Sequence, residues 1–517
     1  MIPSTALRPS RRRRVLIVNC YMDDTRASIG RRRKIPSAMG PVYLAGALSE
    51  DRCDVRLYSE LNSGPLEDPR ILAWPDMLVL TGLTTALDRM RHLTAYARTK
   101  NPKVIVVAGG HAVRALPRYC SAFFDYCCQG DVEELREVVE DAFGPGYASE
   151  QMRPRFDLAP WLGRLGYVET SRNCNFRCSF CVLTSESRRY QLYDLDDVRR
   201  QIVSLGRRDY LVLIDNNFFG NDRRGFFAKL DLLRELWQQG WFRGWGALVT
   251  NDFFYDEANL TRFRESGGGG LFSGLESFDV EWLQRNNKMQ NARAEPVDMI
   301  RRTLRTGIGF SYGLLLDVTT RRLDELRREL DFIVGCPEIP LPAYLSVSIP
   351  MLKTPLFYNC LRRGILLPNT RIRDLDGTTL SVRPLDPIEE VAAFLRDLRT
   401  FRGYRQRAIR HTMGFLRLYR SVLNPGSLAI ALMNAGVLCA PVGISGPTRW
   451  RGSRPRRTHV SSTDVLDSVY TPAFPVDPRY AHYFEPTYLT DPTGALAEHV
   501  AEDLAEPSPP RRATDFR

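Results

Sequence analysis

Tyr167-Val-Glu-Thr-Ser-Arg-Asn-Cys174-Asn-Phe-Arg-Cys178-Ser-Phe-Cys181 runs from a short apolar strand into a loop with the spacing Cys-x3-Cys-x2-Cys. Three thiolates so spaced can hold three irons of a [4Fe–4S] cube and leave the fourth without a protein ligand, whereas an ordinary electron-transfer cluster takes four cysteines. An open iron suits a cluster that binds and reduces a substrate-like molecule. A structural zinc would need a fourth Cys or His close by. The next cysteines, Cys336 and Cys360, lie far along the chain, and no partner Cys-x2-Cys pair exists. Eleven cysteines in 517 residues are too sparse for a disulfide scaffold. The others (Cys20, Cys53, Cys120, Cys127, Cys128, Cys336, Cys360 and Cys439) show no metal spacing and read as small core residues.

Length and composition bound the rest. A chain of this size predicts about three domains. No run approaches ~18 consecutive apolar residues; the nearest, Gly426 to Ile444, is interrupted by Asn434, Gly436 and Pro441. The apolar stretch after Arg11–Arg14 is too short for a signal peptide. The expectation is a cytoplasmic protein with no membrane partner. The net charge of +12 invites a nucleic-acid reading, but only six of the 72 basic residues are lysines. That skew toward arginine points to coding bias rather than a phosphate-binding face, so no nucleic-acid partner is expected. The basic clusters Arg31–Lys34 and Arg402–Arg420 read as solvated surface, and an acidic small substrate remains compatible with the charge.

Ahead of the cysteine loop, strand and helix patterns alternate. Val15–Asn19, Val55–Tyr58, Met77–Leu80, Val104–Ala108 and Tyr126–Cys128 predict strands. Pro41–Glu50, Leu87–Lys100 and Arg114–Phe123 predict helices, with a last one ending at Phe143. This is the pattern of a Rossmann-like, doubly wound parallel sheet. Ligands on such sheets sit at the carboxyl ends of the strands. Those ends carry Thr81-Gly82-Leu83-Thr84-Thr85, Gly109-Gly110-His111 and Gly130-Asp131. The glycines serve equally as plain turns or as room for a flat cofactor against the backbone. No Gly-x-Gly-x-x-Gly opens the first helix, which argues against a nicotinamide cofactor.

Beyond the loop the alternation resumes. Tyr167–Thr170, Tyr210–Ile214, Gly246–Thr250, Leu271–Gly274, Ile308–Leu316 and Tyr344–Ile349 predict the strands of a partial (β/α) barrel, whose active site lies at the carboxyl ends of its strands. Those ends carry Asp215-Asn216-Asn217, Asn251-Asp252 and Glu276-Ser277. Ile388–Phe401 and Ala408–Leu423 predict helices with arginine-rich polar faces. A Pro/Gly/Arg/Ser linker at Gly443–Arg457 precedes a Pro-rich tail whose aromatic residues, Tyr470 to Tyr488, predict that part of it packs. Residues after Pro507 read as disordered. The expected units are 1–150, 160–360, a mainly helical 361–442, and a linker and irregular tail over 443–517.

The cysteine spacing with Phe180 before the last cysteine resembles the radical S-adenosylmethionine (SAM) enzymes. Several later stretches resemble that family too. They are Gly274-Leu-Glu276-Ser277, the glycine-punctuated strand Ile308–Leu316, and Pro350-Met-Leu-Lys-Thr-Pro-Leu-Phe357, where Lys353 replaces the family's glycine. The segment in front resembles the cobalamin-binding domain of cobalamin-dependent radical SAM enzymes, through Pro41–Ala45, Val106–His111 and Asp125 with Gly130–Glu133. The resemblance covers residues 14 to 360.

It implies that Cys174, Cys178 and Cys181 ligate the cluster, and that Phe180, Asp215, Asn216, Glu276 and Ser277 contact SAM. It implies cobalamin at Gly82, Thr84, Thr85, Gly109, Gly110, His111, Gly130 and Asp131. The Asp-x-His-x-x-Gly pattern that supplies a cobalt histidine elsewhere is absent, so no histidine ligand to cobalt is expected from this domain. The implied activity is a methyltransferase that uses a 5′-deoxyadenosyl radical and methylcobalamin. It would act on an unactivated carbon, or a phosphinate phosphorus, of a small intermediate of specialised or antibiotic biosynthesis. The implied partner is a one-electron reductant such as flavodoxin or ferredoxin. Three alternatives stand beside it: a non-methylating cyclisation, rearrangement or oxidation, an empty front domain, and a non-catalytic iron–sulfur protein.

Overall fold

The computed structural model describes residues 12–21, 39–186, 188–293, 295–400, 404–439, 460–461 and 470–505. The cluster Arg31–Lys34, the linker Gly443–Arg457 and the segment after Pro507 lie outside the described residues.

β1 (Arg13–Cys20) buries four consecutive apolar residues, Leu16 and Ile17 among them. Such a run has no solvent face, so it belongs in the middle of a parallel sheet covered on both sides. It pairs in parallel with β2 (Cys53–Ser59) and with β3 (Met77–Gly82). β4 (Ile105–Ala108) and the short β5 (Tyr126–Cys127) complete the order β2-β1-β3-β4-β5. The strand order reverses between β1 and β3, and the crevice outside their carboxyl ends is where doubly wound sheets take ligands. Gly82 ends β3 at that crevice.

Two expected helices differ in extent. Pro41–Glu50 is helical only over Gly40–Ala45. After it the chain is drawn against residues 148–153: Leu48 bridges Ala148, and a Cβ on Gly46 would stand 2.5 Å from the Arg153 carbonyl oxygen. Arg114–Phe123 is two short helices, His111–Ala115 and Pro117–Ser121. Pro117 cannot continue the first helix but suits the opening turn of the second.

The second sheet begins with β6 (Leu165–Val168). A two-residue hairpin, β7 (Ser171–Arg172) with β8 (Gln191–Leu192), brackets the cysteine loop. β9 (Tyr210–Leu213), β10 (Trp245–Val249), β11 (Gly268–Glu276), β12 (Gly309–Leu316) and β13 (Tyr344–Val347) follow, in the order β13-β12-β11-β10-β9-β6. Every pair is parallel, and each crossover carries helix, which makes an open half-barrel. Its outer layer packs on Phe310 and Tyr312 of β12, which meet Phe254 and Phe278. On the opposite face Gly246, Gly270 and Gly309 stand in register across three strands.

That glycine-lined face receives a helix from the expected helical region 361–442 whose bounds the sequence reading did not give. Pro425–Cys439, noted as an interrupted apolar run, forms a helix against β12. Ser427 Oγ donates to the Gly269 carbonyl (3.2 Å), and Asn434 Nδ2 donates to Ser311 Oγ (3.1 Å). Asn434 is an interruption to a membrane segment but a satisfied polar contact inside a protein. Among the described residues no helix is long and apolar enough to cross a membrane.

Candidate active site at the carboxyl ends of the two sheets

The cysteine loop hangs from the carboxyl end of β6. Its entry is fixed by Asp215, fully buried just past β9, whose carboxylate accepts from Thr170 N (3.2 Å), Thr170 Oγ1 (2.8 Å) and Ser171 Oγ. Asn217 Nδ2 donates to Asn175 Oδ1 inside the loop (2.7 Å). The far side is tied to the segment after Glu276: Ser179 Oγ donates to Asn286 Oδ1 (2.7 Å), and Asn287 Nδ2 to the Arg177 carbonyl (2.7 Å). A third tether comes from the turn after β13, where Leu356 N donates to the Ser179 carbonyl (3.0 Å). Sulfur, too, receives donors: Phe176 N reaches Cys174 Sγ and Gln290 Nε2 reaches Cys178 Sγ, both at 3.5 Å.

Burial and a nearby lysine act on the loop's thiols in opposite directions. Burial pushes the Cys174 thiol up to about 11 and raises Cys181. Lys288 opposes both shifts, since its ammonium is close enough to act on Cys174 and Cys181. Burial would depress Lys288, but the Glu276 carboxylate and Cys178 hold it above its usual value. Lys288 Nζ lies 3.0 Å from Glu276 Oε1, both side chains are buried, and the ammonium stands 5.5 Å from the Phe180 ring centroid. Phe180 in turn stacks on buried Trp282 at 6.0 Å. Among the described residues no trio of His, Cys, Asp or Glu converges as one metal ion would require. A multi-iron cube needs its three thiolates spread over separate corners, and the donors to sulfur are of the kind that tune such clusters. The residues present fit that group.

Glu276 is held at φ 68°, beside a register shift between β11 and β12. A non-glycine residue in that region costs roughly 1–3 kcal/mol and persists where its surroundings over-determine it. Lys288 was missed by sequence reading, yet a signal existed. In a chain that writes nearly all its positive charge as arginine, Lys229, Lys288 and Lys353 all border strand carboxyl ends. A compact ammonium fits where a guanidinium fork does not. Lys229 Nζ donates to the Phe218 carbonyl (2.5 Å), and burial brings it down to about 8. Replacing Lys288 by Met strands the Glu276 charge in the interior. Urea unfolding of the cluster-free protein should show a loss of about 3 kcal/mol or more, the usual cost of breaking a buried pair from one side.

Two of the expected SAM contacts, Asp215 and Ser277, have partners within the fold, and a third, Asn216, is exposed. Asp215 is occupied by Thr170 and Ser171, as above. Asn216 is exposed, and its neighbour Asn217 is the amide that faces the loop. Ser277 is fully buried, donating to Glu329 Oε1 (2.6 Å) and accepting from Arg321 Nη1 (3.1 Å). Of the five, Phe180 and Glu276 stand together beside the cysteines.

At the doubly wound sheet, Gly82 and Gly110 touch. A Cβ on Gly110, whose φ is 110°, would stand 2.8 Å from the Gly82 carbonyl oxygen, and one on Gly82 would stand 2.8 Å from that of Cys20. Only glycine closes the crevice this far. Thr84 and Thr85 form the turn that follows, and Gly109 is partly open. His111 points across to the barrel, its ring against the Leu352 backbone with no well-formed hydrogen bond on either buried nitrogen. Burial, with Arg114 nearby, brings His111 down to about 4. Gly130 and Asp131 are not open to a ligand in the same way. Asp131 is held by Arg188 and lies 3.5 Å from Arg114 and 3.7 Å from Arg172, while the Gly130 carbonyl accepts from Arg114 Nη2 (2.6 Å). With Arg172–Glu133 (2.9 Å) and Arg114–Glu186, this ionic seam joins the two sheets beside the cysteine loop.

Because His111 is neutral when folded and carries its proton near pH 6.5 when unfolded, the unfolded state binds more protons between those values. Stability therefore falls as pH drops from about 6.5 toward 4, by on the order of 3 kcal/mol for this group. Denaturation of the cobalamin-free His111→Gln variant should lose that part of the acid dependence relative to the unsubstituted chain.

The turn Pro350–Leu356 links the two regions. Its Leu352 and Lys353 face His111, and its Leu356 bonds to Ser179 in the cysteine loop. Lys353, where the resemblance calls for glycine, has φ 61°. The turn keeps the left-handed backbone and carries a cation as well.

Comparison with known proteins agrees with this geometry. The B12 binding domain family matches residues 26–140, and the Radical SAM superfamily matches residues 168–330. The chain belongs to the cobalamin-dependent radical SAM family. Its cofactors are a [4Fe–4S] cluster, SAM and cobalamin. An uncharacterised methyltransferase of Synechocystis sp. is 23% identical over 345 residues, and the match spans 62% of each chain. The cobalamin-dependent SAM radical enzyme OxsB, solved with aqua-cobalamin and SAM bound, shares the fold at a TM-score of 0.52 and 16% identity, over 81% of this chain and 70% of that one. The radical SAM methyltransferase TsrM from Kitasatospora setae, solved with tryptophan and a SAM analogue, does so at 0.53 and 15%, over 73% and 81%. For this cobalamin-dependent radical SAM protein, the two sheets are therefore the two cofactor domains.

Proposed function

We propose that the protein is a cobalamin-dependent radical SAM methyltransferase that methylates an unactivated carbon, or a phosphinate phosphorus, of a small biosynthetic intermediate. The observation that carries this reading is the Pro350–Leu356 turn, which touches His111 on the cobalamin-type edge and Ser179 in the cysteine loop. Two cofactor edges joined by one turn can serve one substrate held between them. The relative named as a methyltransferase and the fold of TsrM support methyl transfer.

In this reading Cys174, Cys178 and Cys181 hold the irons and Phe180, Glu276 and Lys288 border SAM. Gly82, Thr84, Thr85, Gly109, Gly110 and His111 form the cobalamin edge. Bound, the groups supply one-electron cleavage of a sulfonium and a transferable methyl group. The chain's own part is positional. Asp215, Asn217 and Asn286 hold the cysteine loop rigid, and the glycine contact at Gly82–Gly110 lets a flat ring close on the backbone. The Lys288–Glu276 pair presents one cation and one anion to the polar end of an amino acid. Electrons would come from a flavodoxin or ferredoxin, and the net charge of +12 suits an anionic substrate.

The test is to incubate the anaerobically reconstituted protein with methyl-labelled SAM, hydroxocobalamin and a strong reductant. Label appearing on cobalamin, together with S-adenosylhomocysteine, is expected. Formation of 5′-deoxyadenosine with cobalamin left unlabelled would instead favour a non-methylating rearrangement or oxidation.

A further inference from the structure

The helix Leu87–Lys100 follows the Thr84–Ala86 turn, and an outer helix of a doubly wound sheet ordinarily keeps a polar face in water. This one does not. Every residue from Leu87 to Ala97 is buried, including Asp88, Arg89, Arg91 and His92. Its outward face is covered by residues 470–505, which come from beyond both family matches.

The cover is bonded, not merely laid on. Asp88, 1% exposed, accepts from Thr487 N (3.1 Å), Thr487 Oγ1 (2.5 Å) and the Tyr470 hydroxyl (2.7 Å). A buried carboxylate is tolerated only with such a set of donors, and its place in the helix's first turn adds the favourable end of the dipole. Arg91 donates to the carbonyls of His482 and Glu485 (both 2.7 Å) and to Thr487 Oγ1 (2.8 Å). His92 stacks on Phe484 at 4.5 Å, and Tyr96 meets Phe474 at 4.5 Å.

The same segment is tied to the barrel side. Ile372 N donates to the Thr487 carbonyl (2.9 Å), and Leu489 N to that of Thr370 (2.6 Å). The Ile372–Asp374 turn, stiffened by the buried Arg371–Asp374 pair, packs on the Thr84–Ala86 turn. Thr487 thus bonds at once to the helix behind the cobalamin edge and to the segment packed in front of it.

We infer that residues 470–505 are a strap that positions the cobalamin edge, with Thr487 and Asp88 as its positioning residues. The inference rests on the cobalamin site proposed above. The strap acts through the Leu87–Lys100 helix on Gly82–Thr85. It shares none of the hydrogen bonds named above that tether the cysteine loop, and only its Asp503 lies near Lys353 of the Pro350–Leu356 turn. Its effect should therefore fall on one cofactor and not on the other.

The experiment measures hydroxocobalamin binding to the full chain by visible absorbance, iron per chain after reconstitution, and hydrogen exchange over residues 84–97 without cobalamin. Thr487→Val should weaken hydroxocobalamin about tenfold, speed exchange over 84–97 and leave iron unchanged. Thr487→Ser, which keeps the hydroxyl, should restore both readouts. Tyr470→Phe should move them the same way and less. Binding that stays unchanged in Thr487→Val while exchange speeds up overturns the positioning role, as does an equal loss of iron. An unsubstituted chain that loads iron but takes up no hydroxocobalamin overturns the underlying cobalamin reading, and shows it without any substitution.

Discussion

Cys174→Ala, Cys178→Ala and Cys181→Ala are each expected to bring iron and sulfide per chain close to zero and to abolish 5′-deoxyadenosine formation from SAM. Loss of even a group that only orients a metal ligand costs about 10- to 100-fold in affinity, so loss of one of three ligands should exceed ~100-fold. The loop itself should survive, because Ser179 on Asn286, Asn217 on Asn175 and Thr170 on Asp215 tether it independently of the thiols. Circular dichroism of the apo-variants should accordingly match the unsubstituted chain. Cluster content and SAM cleavage measured anaerobically decide the matter, and full activity in any of the three would remove that cysteine from the ligand set.

Gly110→Val should have the second-largest effect, and on the other cofactor. Two costs add there. A side chain at φ 110° is strained whatever surrounds it, and its Cβ would be 2.8 Å from the Gly82 carbonyl oxygen, so β3 and the Gly109–His111 edge must part. Strain of roughly 1–3 kcal/mol translates into a loss of hydroxocobalamin affinity of about 5- to 150-fold. Iron loading should be spared, since none of the cysteine-loop tethers involves Gly110. Unaltered cobalamin binding would move the pocket away from this crevice. Together the cysteine and glycine variants separate the two cofactors cleanly.

What could be read from residues and what could not follows from the range of the forces involved. The cysteine spacing, the buried run of β1 and the strand–helix alternation are local patterns, and local periodicity determines element type and layer order. Gly82 and Gly110 were legible as glycines at strand carboxyl ends, although their mutual contact was not. Partnership between distant side chains is decided only when the sheets close. Asp215 looked free for SAM until Thr170 and Ser171, from the chain that follows β6, bonded to it, and Ser277 until Arg321 and Glu329 did so. Asn216 and Asn217 differ by one residue, yet only the second faces the loop.

The sequence alone therefore determined the two α/β layers, their order and the thiolate trio, because each depends on neighbours within a few residues. Only tertiary structure decided that Lys288 would sit beside those sulfurs, and that the Pro350–Leu356 turn would bridge two cofactor edges. It alone decided that a tail past residue 470 would cover the helix behind one of them. These contacts join residues up to about four hundred positions apart, such as Asp88 and Thr487. A buried charge specifies its partner through burial, which no local pattern encodes.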